Sequence, residues 1–365
     1  MLTRMPALAV ALCFALTLAT LARPITTPQH GNAQRQIANV PAGRTPTRVP
    51  APEDVFGFRP GDDRKLANWQ SIVEYFQKLD AASDRVKFEE IGKTTLGAPF
   101  TVATISAPEN LARLDEFKEI QRQLADPRTL GRNADQKAKQ LVERGKTIVL
   151  ITCGIHSTEV GSTLSSTLIS SPRVVERAGR AQYFARHHRA ARPSLNPDGV
   201  DIVKRWYDKT LGTPYEGTNP PELYHKYVGP DNNRDWYAFT QKETQITVDK
   251  IHNVWHPQIV HDIHQQGQFG SRLFLPPYMQ PVEPNVPKQI VEGYTELGLA
   301  MANEMRAAGF KGITDSTYDA GRPPALTHYH GGVRILSETA SARATPLSLN
   351  STTSVQRRLR RAQSL

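Results

Sequence analysis

The chain has 365 residues, 39% of them apolar, and a formal charge of +10, so it can bury the core of one large α/β domain or of two smaller ones. The excess charge sits in residues 171–192, with six arginines and Glu176 as the lone acid, and in residues 341–365, with five arginines and no acid. Neither stretch interleaves aromatic with basic residues or forms a DNA-reading motif, so nucleic acid is not the expected partner and stays a minor alternative.

Arg4, the apolar run Ala7 to Leu21 and the small residues around Thr20-Leu21-Ala22 read as an export leader over residues 1–22. The rival reading is a membrane anchor, but the run is shorter than the roughly 20 residues a span needs and no second run follows, so no stable anchor is expected. The expected location is secreted or periplasmic. Of the two cysteines, Cys13 falls in the leader, which leaves Cys153 without an internal partner. Residues 23–52 are rich in Pro, Thr, Gln and Asn and read as a flexible linker.

The folded part is expected over residues 53–345. Leu66 to Leu79 and Leu111 to Leu124 have apolar residues at helical spacing, while Val86 to Ile91 and Phe100 to Ile105 read as short strands. Thr147 to Thr152 carries the continuous run Ile148-Val149-Leu150-Ile151 expected of a strand covered on both faces. Gln258 to Asp262 and Val333 to Ser337 resemble it. Strands alternating with helical stretches predict the α/β class, with a mixed, mostly parallel sheet flanked by helices in a single domain. Residues 346–365 are expected to be a disordered basic tail. Ligands of such sheets lie beyond the carboxyl ends of the strands, and each apolar run here ends in polar or ionisable residues.

Four of those ends carry chemistry. His156-Ser157-Thr158-Glu159 supplies a His-x-x-Glu pair, which alone reads more readily as a surface His beside a capping Glu. Val260-His261-Asp262-Ile263-His264 delivers a second histidine, and period-two alternation places Asp262 and His264 on one face and His261 and Ile263 on the other. A catalytic zinc needs three protein ligands and an open position, a count that the pair and one distant His satisfy. His261 reads as a core histidine, and His252 and His256 as turn residues before Pro257. Gly229 to Trp236 is a dense polar loop in which Arg234 can clamp a carboxylate, or else a well-bonded turn. Glu338 leaves an apolar strand, either as a proton acceptor or as the first turn of a helix.

Taken in order from Leu66 to Ala340, with Asn196-Pro197-Asp198-Gly199 as a further landmark, these segments resemble the zinc carboxypeptidase family. The resemblance implies one zinc per chain held by His156, Glu159 and His264, with Asp231 orienting the first ligand histidine. It implies that Asn233 and Arg234 hold the substrate's terminal carboxylate, that Tyr318 closes on substrate and that Glu338 is the catalytic glutamate. Arg205 corresponds to the oxyanion-stabilising arginine, although the family has its Trp before the Arg and here Trp206 follows. The implied activity is removal of C-terminal residues from peptides. A deacylase or amidase acting on small carboxylated amides and an inactive peptide- or glycan-binding homologue are the rivals, and the oligomeric state is left open.

Two stretches depart from the family pattern. The apolar core strand expected before Asn196 is replaced by Ala181 to Arg192, rich in Arg and His, which is expected not to form a buried central strand because unpaired arginines are costly to desolvate. The Arg-rich C-terminus replaces a packed helix. Both read as translated out of frame or degenerate, or else as a surface insertion and a loose tail, and His187 and His188 are given no metal role.

Overall fold

The computed structural model describes residues 48–171, 187–222, 232–316 and 331–341. The expected leader, most of the linker and the basic tail lie outside these residues, as do Asp231 and Tyr318. Among the described residues, no helix is long and apolar enough to cross a membrane.

A short helix α1 (Pro52–Phe56) precedes α2 (Trp69–Ala82), where Trp69, Ile72, Val73, Phe76 and Leu79 recur at helical spacing. The Asn68 side chain caps α2 by accepting a hydrogen bond from the Ser71 N–H. Its apolar stripe packs on Val86 of β1 (Val86–Lys93) and on Ala103 and Ile105 of β2 (Pro99–Ile105). Burial of each such large side chain is worth about 1.5–3 kcal/mol. Helices α3 (Pro108–Leu111), α4 (Leu114–Ala125) and α5 (Ala134–Arg144) lead to β3 (Thr147–Cys153) and α6 (Val160–Ile169). Then follow β4 (His187–Arg192), α7 (Pro197–Thr210), α8 (Lys242–Thr247), β5 (Ile259–Gln266), β6 (Leu273–Phe274), α9 (Lys288–Ala307), β7 (Ile313–Thr314) and β8 (Val333–Ala340).

Among the described residues the strands form one sheet in the order β1-β2-β4-β3-β5-β8-β6-β7. Its centre, β4-β3-β5-β8, is parallel, and antiparallel pairs β1-β2, β2-β4 and β6-β8 flank it. Apolar clusters cover both faces: Leu114, Trp255 and Ile251 lie over Ile148, Leu150 and Val260, while Leu297, Met301 and Ala302 of α9 lie against Ile335. The expected mixed, mostly parallel α/β sheet flanked by helices is therefore the observed one.

The expectation for the Arg- and His-rich run is overturned. Residues 187–192 form β4, an interior strand paired antiparallel with β2 and parallel with β3. Ladder hydrogen bonds are made by the main chain, and the facing edges of β2 and β3 each need a partner whatever the side chains between them. The consequence falls on the side chains. His188 is buried among aromatic residues, 4.8 Å from the Phe117 ring and 6.5 Å from the Trp255 ring, and Arg192 is fully buried with its guanidinium 3.9 Å from the Phe100 ring centre.

Candidate metal centre

The loop between β3 and α6 opens at Gly154, whose φ of +61° lies in the left-handed region. A Cβ there would stand 2.2 Å from Thr163 Oγ1, so only glycine lets the chain turn sharply off the strand end. The turn presents His156 and Glu159, and β5 delivers His264 beside them. One donor atom from each of the three lies within 4.8 Å of the others. Glu159 bridges the imidazoles: its Oε1 is 2.8 Å from His156 Nδ1, and its Oε2 is 3.0 Å from His264 Nδ1.

The far side of His264 is held by a carboxylate expected only to share its face. Asp262 Oδ2 lies 3.1 Å from His264 Nε2 and accepts a 2.6 Å bond from Arg334 Nη2, while Oδ1 accepts from Thr152 Oγ1 at 2.8 Å. Burial pushes the Asp262 carboxyl up, but the positive charges of His264 and Arg334 outweigh it and hold it well below the ordinary carboxylate range. Burial likewise pushes the His264 imidazole down, and the Asp262 and Glu159 carboxylates overcome this to raise it to about 10. Glu159 also ends below its ordinary value, because the hydrogen bonds from both imidazoles outweigh its own burial.

This donor set fits a zinc ion. Two imidazole nitrogens and a carboxylate oxygen converge, both histidines turn Nδ1 inward, and Asp262 fixes the orientation of one ring from behind. A cation held by His156, Glu159 and His264 would need His264 unprotonated on its inward nitrogen.

Glu338 is buried on β8, and its Cα pairs in register with that of His264 on β5, so both side chains leave the same face of the sheet. Asn233 and Arg234 lie in a short helical turn, Asn232–Arg234. Trp236 Nε1 donates to Asn233 Oδ1 at 2.7 Å, and Asp235 accepts from the main-chain N–H groups of Thr240 and Gln241. The segment is thus a well-bonded turn, and it is one that leaves Arg234 exposed. Arg205 lies on the exposed side of α7, 3.6 Å from Glu222, and none of these contacts ties it to the metal donors. Asp231 and Tyr318 fall outside the described residues.

Asn196-Pro197-Asp198-Gly199 buttresses the metal loop. The Asn196 side chain caps α7 through the Gly199 N–H and reaches the Ile155 carbonyl, and Ser157 Oγ donates to the Asn196 carbonyl. Asp198 accepts from Thr94 Oγ1 and the Leu96 N–H, fixing the β1-β2 turn beside it. Arg334 was not legible as part of the site. An arginine inside an apolar strand was the available signal, since such a residue requires a buried anion.

An α/β sheet whose parallel strand ends join two histidines and a glutamate, with a second glutamate in register, offers a candidate metal site of the His₂Glu type. The family description of zinc carboxypeptidase (peptidase M14) matches residues 72–330, and the chain belongs to this family. Glu338 lies just beyond the matched span. Similar solved structures include a metallo-carboxypeptidase from Burkholderia cenocepacia, 17% identical with a TM-score of 0.47, over 73% of this chain and 58% of that one. Carboxypeptidase A from Helicoverpa armigera is 14% identical with a TM-score of 0.48, over 86% of this chain and 79% of that one. The match thus spans less than two thirds of the Burkholderia protein. No curated protein matches the chain.

Proposed function

We propose that the chain is a zinc-dependent carboxypeptidase that hydrolyses C-terminal peptide bonds, acting outside the cytoplasm as the leader implies. The observation that carries this reading is the convergence of His156, Glu159 and His264 on the same strand ends that place Glu338 in register with His264. Bound zinc supplies a Lewis acid and lowers the pKa of water. The rest of the chemistry belongs to side chains of this chain. Glu338 accepts the proton of the attacking water and returns it to the leaving amine. Asp262 fixes the His264 ring so that Nδ1 faces inward. Arg234, exposed on its braced turn, receives the substrate's terminal carboxylate through its planar fork, with Asn233 beside it.

Changing Glu338→Gln removes the proton acceptor and leaves the three donors intact. Turnover is expected to fall at least about 100-fold, with zinc content unchanged by elemental analysis. An active Gln variant overturns the assignment. Because Arg234 suits any small carboxylated amide, a panel of peptides and N-acyl amino acids separates peptidase from deacylase by which set is hydrolysed: the peptides with release of their C-terminal residues, or the N-acyl amino acids alone. A zinc-loaded chain that binds these compounds and turns over none of them is a binding homologue.

A further inference from the structure

Strand alternation on β5 sends His264 to one face of the sheet and Gln265 to the other, where α6 packs: Ile169 of α6 lies with Val149, Ile151, Cys153 and Ile263. Gln265 makes two hydrogen bonds beside the metal loop. Its main-chain N–H donates to Glu159 Oε2 at 3.0 Å, and its side-chain Oε1 accepts from the Gly161 N–H at 2.6 Å. Glu159 is the residue that caps the start of α6 and makes no capping bond of its own, so the Gly161 N–H is one of the orphan donors of the first turn. Position 161 is shaped for this contact, since a Cβ there would stand 2.9 Å from Gln265 Oε1.

We infer that Gln265 is a positioning residue for the metal donor Glu159, clamping its carboxylate and the start of α6 onto the end of β5; the inference rests on the zinc reading proposed above. The geometry is a closed ring: Glu159 Oε2, the Gln265 N–H, the Gln265 side chain, the Gly161 N–H and the main chain back to Glu159. The carboxylate oxygen held in this ring is the one that faces His264 Nδ1 at 3.0 Å. Opening the ring at the Gln265 side chain frees the first turn of α6, and with it the carboxylate, to rotate away from the two imidazoles. Loss of a residue that orients a metal ligand costs about 10–100-fold in metal affinity.

The test is zinc affinity measured by competition with a chelator on the full chain, for the parent and for Gln265→Met, Gln265→Glu and Gly161→Ala. Gln265→Met deletes the acceptor at similar length, and Gly161→Ala pushes it aside; each is expected to weaken zinc binding about 10–100-fold. Gln265→Glu keeps an acceptor oxygen for the Gly161 N–H and is expected to stay within about threefold of the parent. Melting in excess chelator separates positioning from stability, and each variant is expected to melt within about 2 °C of the parent there. Parent-like zinc affinity in Gln265→Met overturns the inference. So does an affinity loss matched by a large drop in melting temperature under chelator, which marks a merely structural role. A parent that takes up no zinc overturns the metal reading itself, by a result distinct from either.

Discussion

Two arginines lie on the same face of the sheet and meet opposite fates. Arg334 on β8, its side chain 15% exposed, donates to Asp262, which also receives His264 and Thr152, so every charge in that group faces an opposite charge or a hydroxyl. Arg192 on β4 is fully buried, and its Nε, Nη1 and Nη2 have no hydrogen-bond partner among the described residues. Among the described residues the contact that offsets this is the face of Phe100. The two guanidiniums shift in opposite directions. Burial pushes Arg192 down to about 9, whereas at Arg334 the Asp262 charge overcomes burial and raises it. Burial by itself does not decide what a charge costs a fold; the partner does. The paired half of the sheet is also the half that carries the site.

The sharpest probe of the paired half is His264→Ala. The parent is expected to hold about one zinc per chain by elemental analysis, and the variant none, because a two-donor remnant lacks the ligand count of a catalytic site. Zinc retained in the variant breaks the assignment of β5 to the metal.

Removing the partner while keeping the cation is the next largest change. Asp262→Asn is isosteric and leaves Arg334 facing a neutral amide, with an expected loss of about 3–5 kcal/mol in denaturant unfolding. A loss below about 1 kcal/mol erases the distinction between the two arginines.

The smallest effect has the opposite sign. Arg192→Met replaces a buried ion that has no hydrogen-bond partner among the described residues by an apolar side chain of similar length, and is expected to stabilise the chain by about 1–4 kcal/mol. Its pH dependence follows from the lowered pKa. The charged form is the one that folding penalises, so the penalty is full below about pH 9, where Arg192 is protonated both folded and unfolded. Above pH 9 the folded chain releases that proton while the unfolded chain keeps it to higher pH, so the parent gains stability and the gap to Arg192→Met narrows. A gap that widens with pH, or a destabilised variant, shows that Arg192 has a partner that offsets its burial.

The strand and helix cores were legible because periodicity records which face is covered: β3 was expected over Thr147 to Thr152 and spans Thr147–Cys153. The end of β5 was not. Its apolar run stops at Asp262, yet the strand continues to Gln266, because β8 pairs with it residue for residue as far as Ala340. That extension is what sets Gln265 against Glu159, and nothing in a Gln-Gln pair announces it. Asp262 was half legible: alternation put it on the face of His264, but its role as the carboxylate behind that ring depends on Arg334, 72 residues away. For Arg205, neighbouring Trp206 drew attention to a residue that α7 turns toward solvent and Glu222.

The sequence by itself determined the donor types, their order and the α/β class, because ligand chemistry and hydrophobic periodicity are local properties of the chain. Only the tertiary structure decided which carboxylate backs which imidazole, which arginine is paired, and that His187–Arg192 is an interior strand. Those outcomes depend on sheet register, which brings together residues 40 positions apart on β3 and β4 and 110 apart on β3 and β5, and satisfies main-chain hydrogen bonds even where the side chains oppose it.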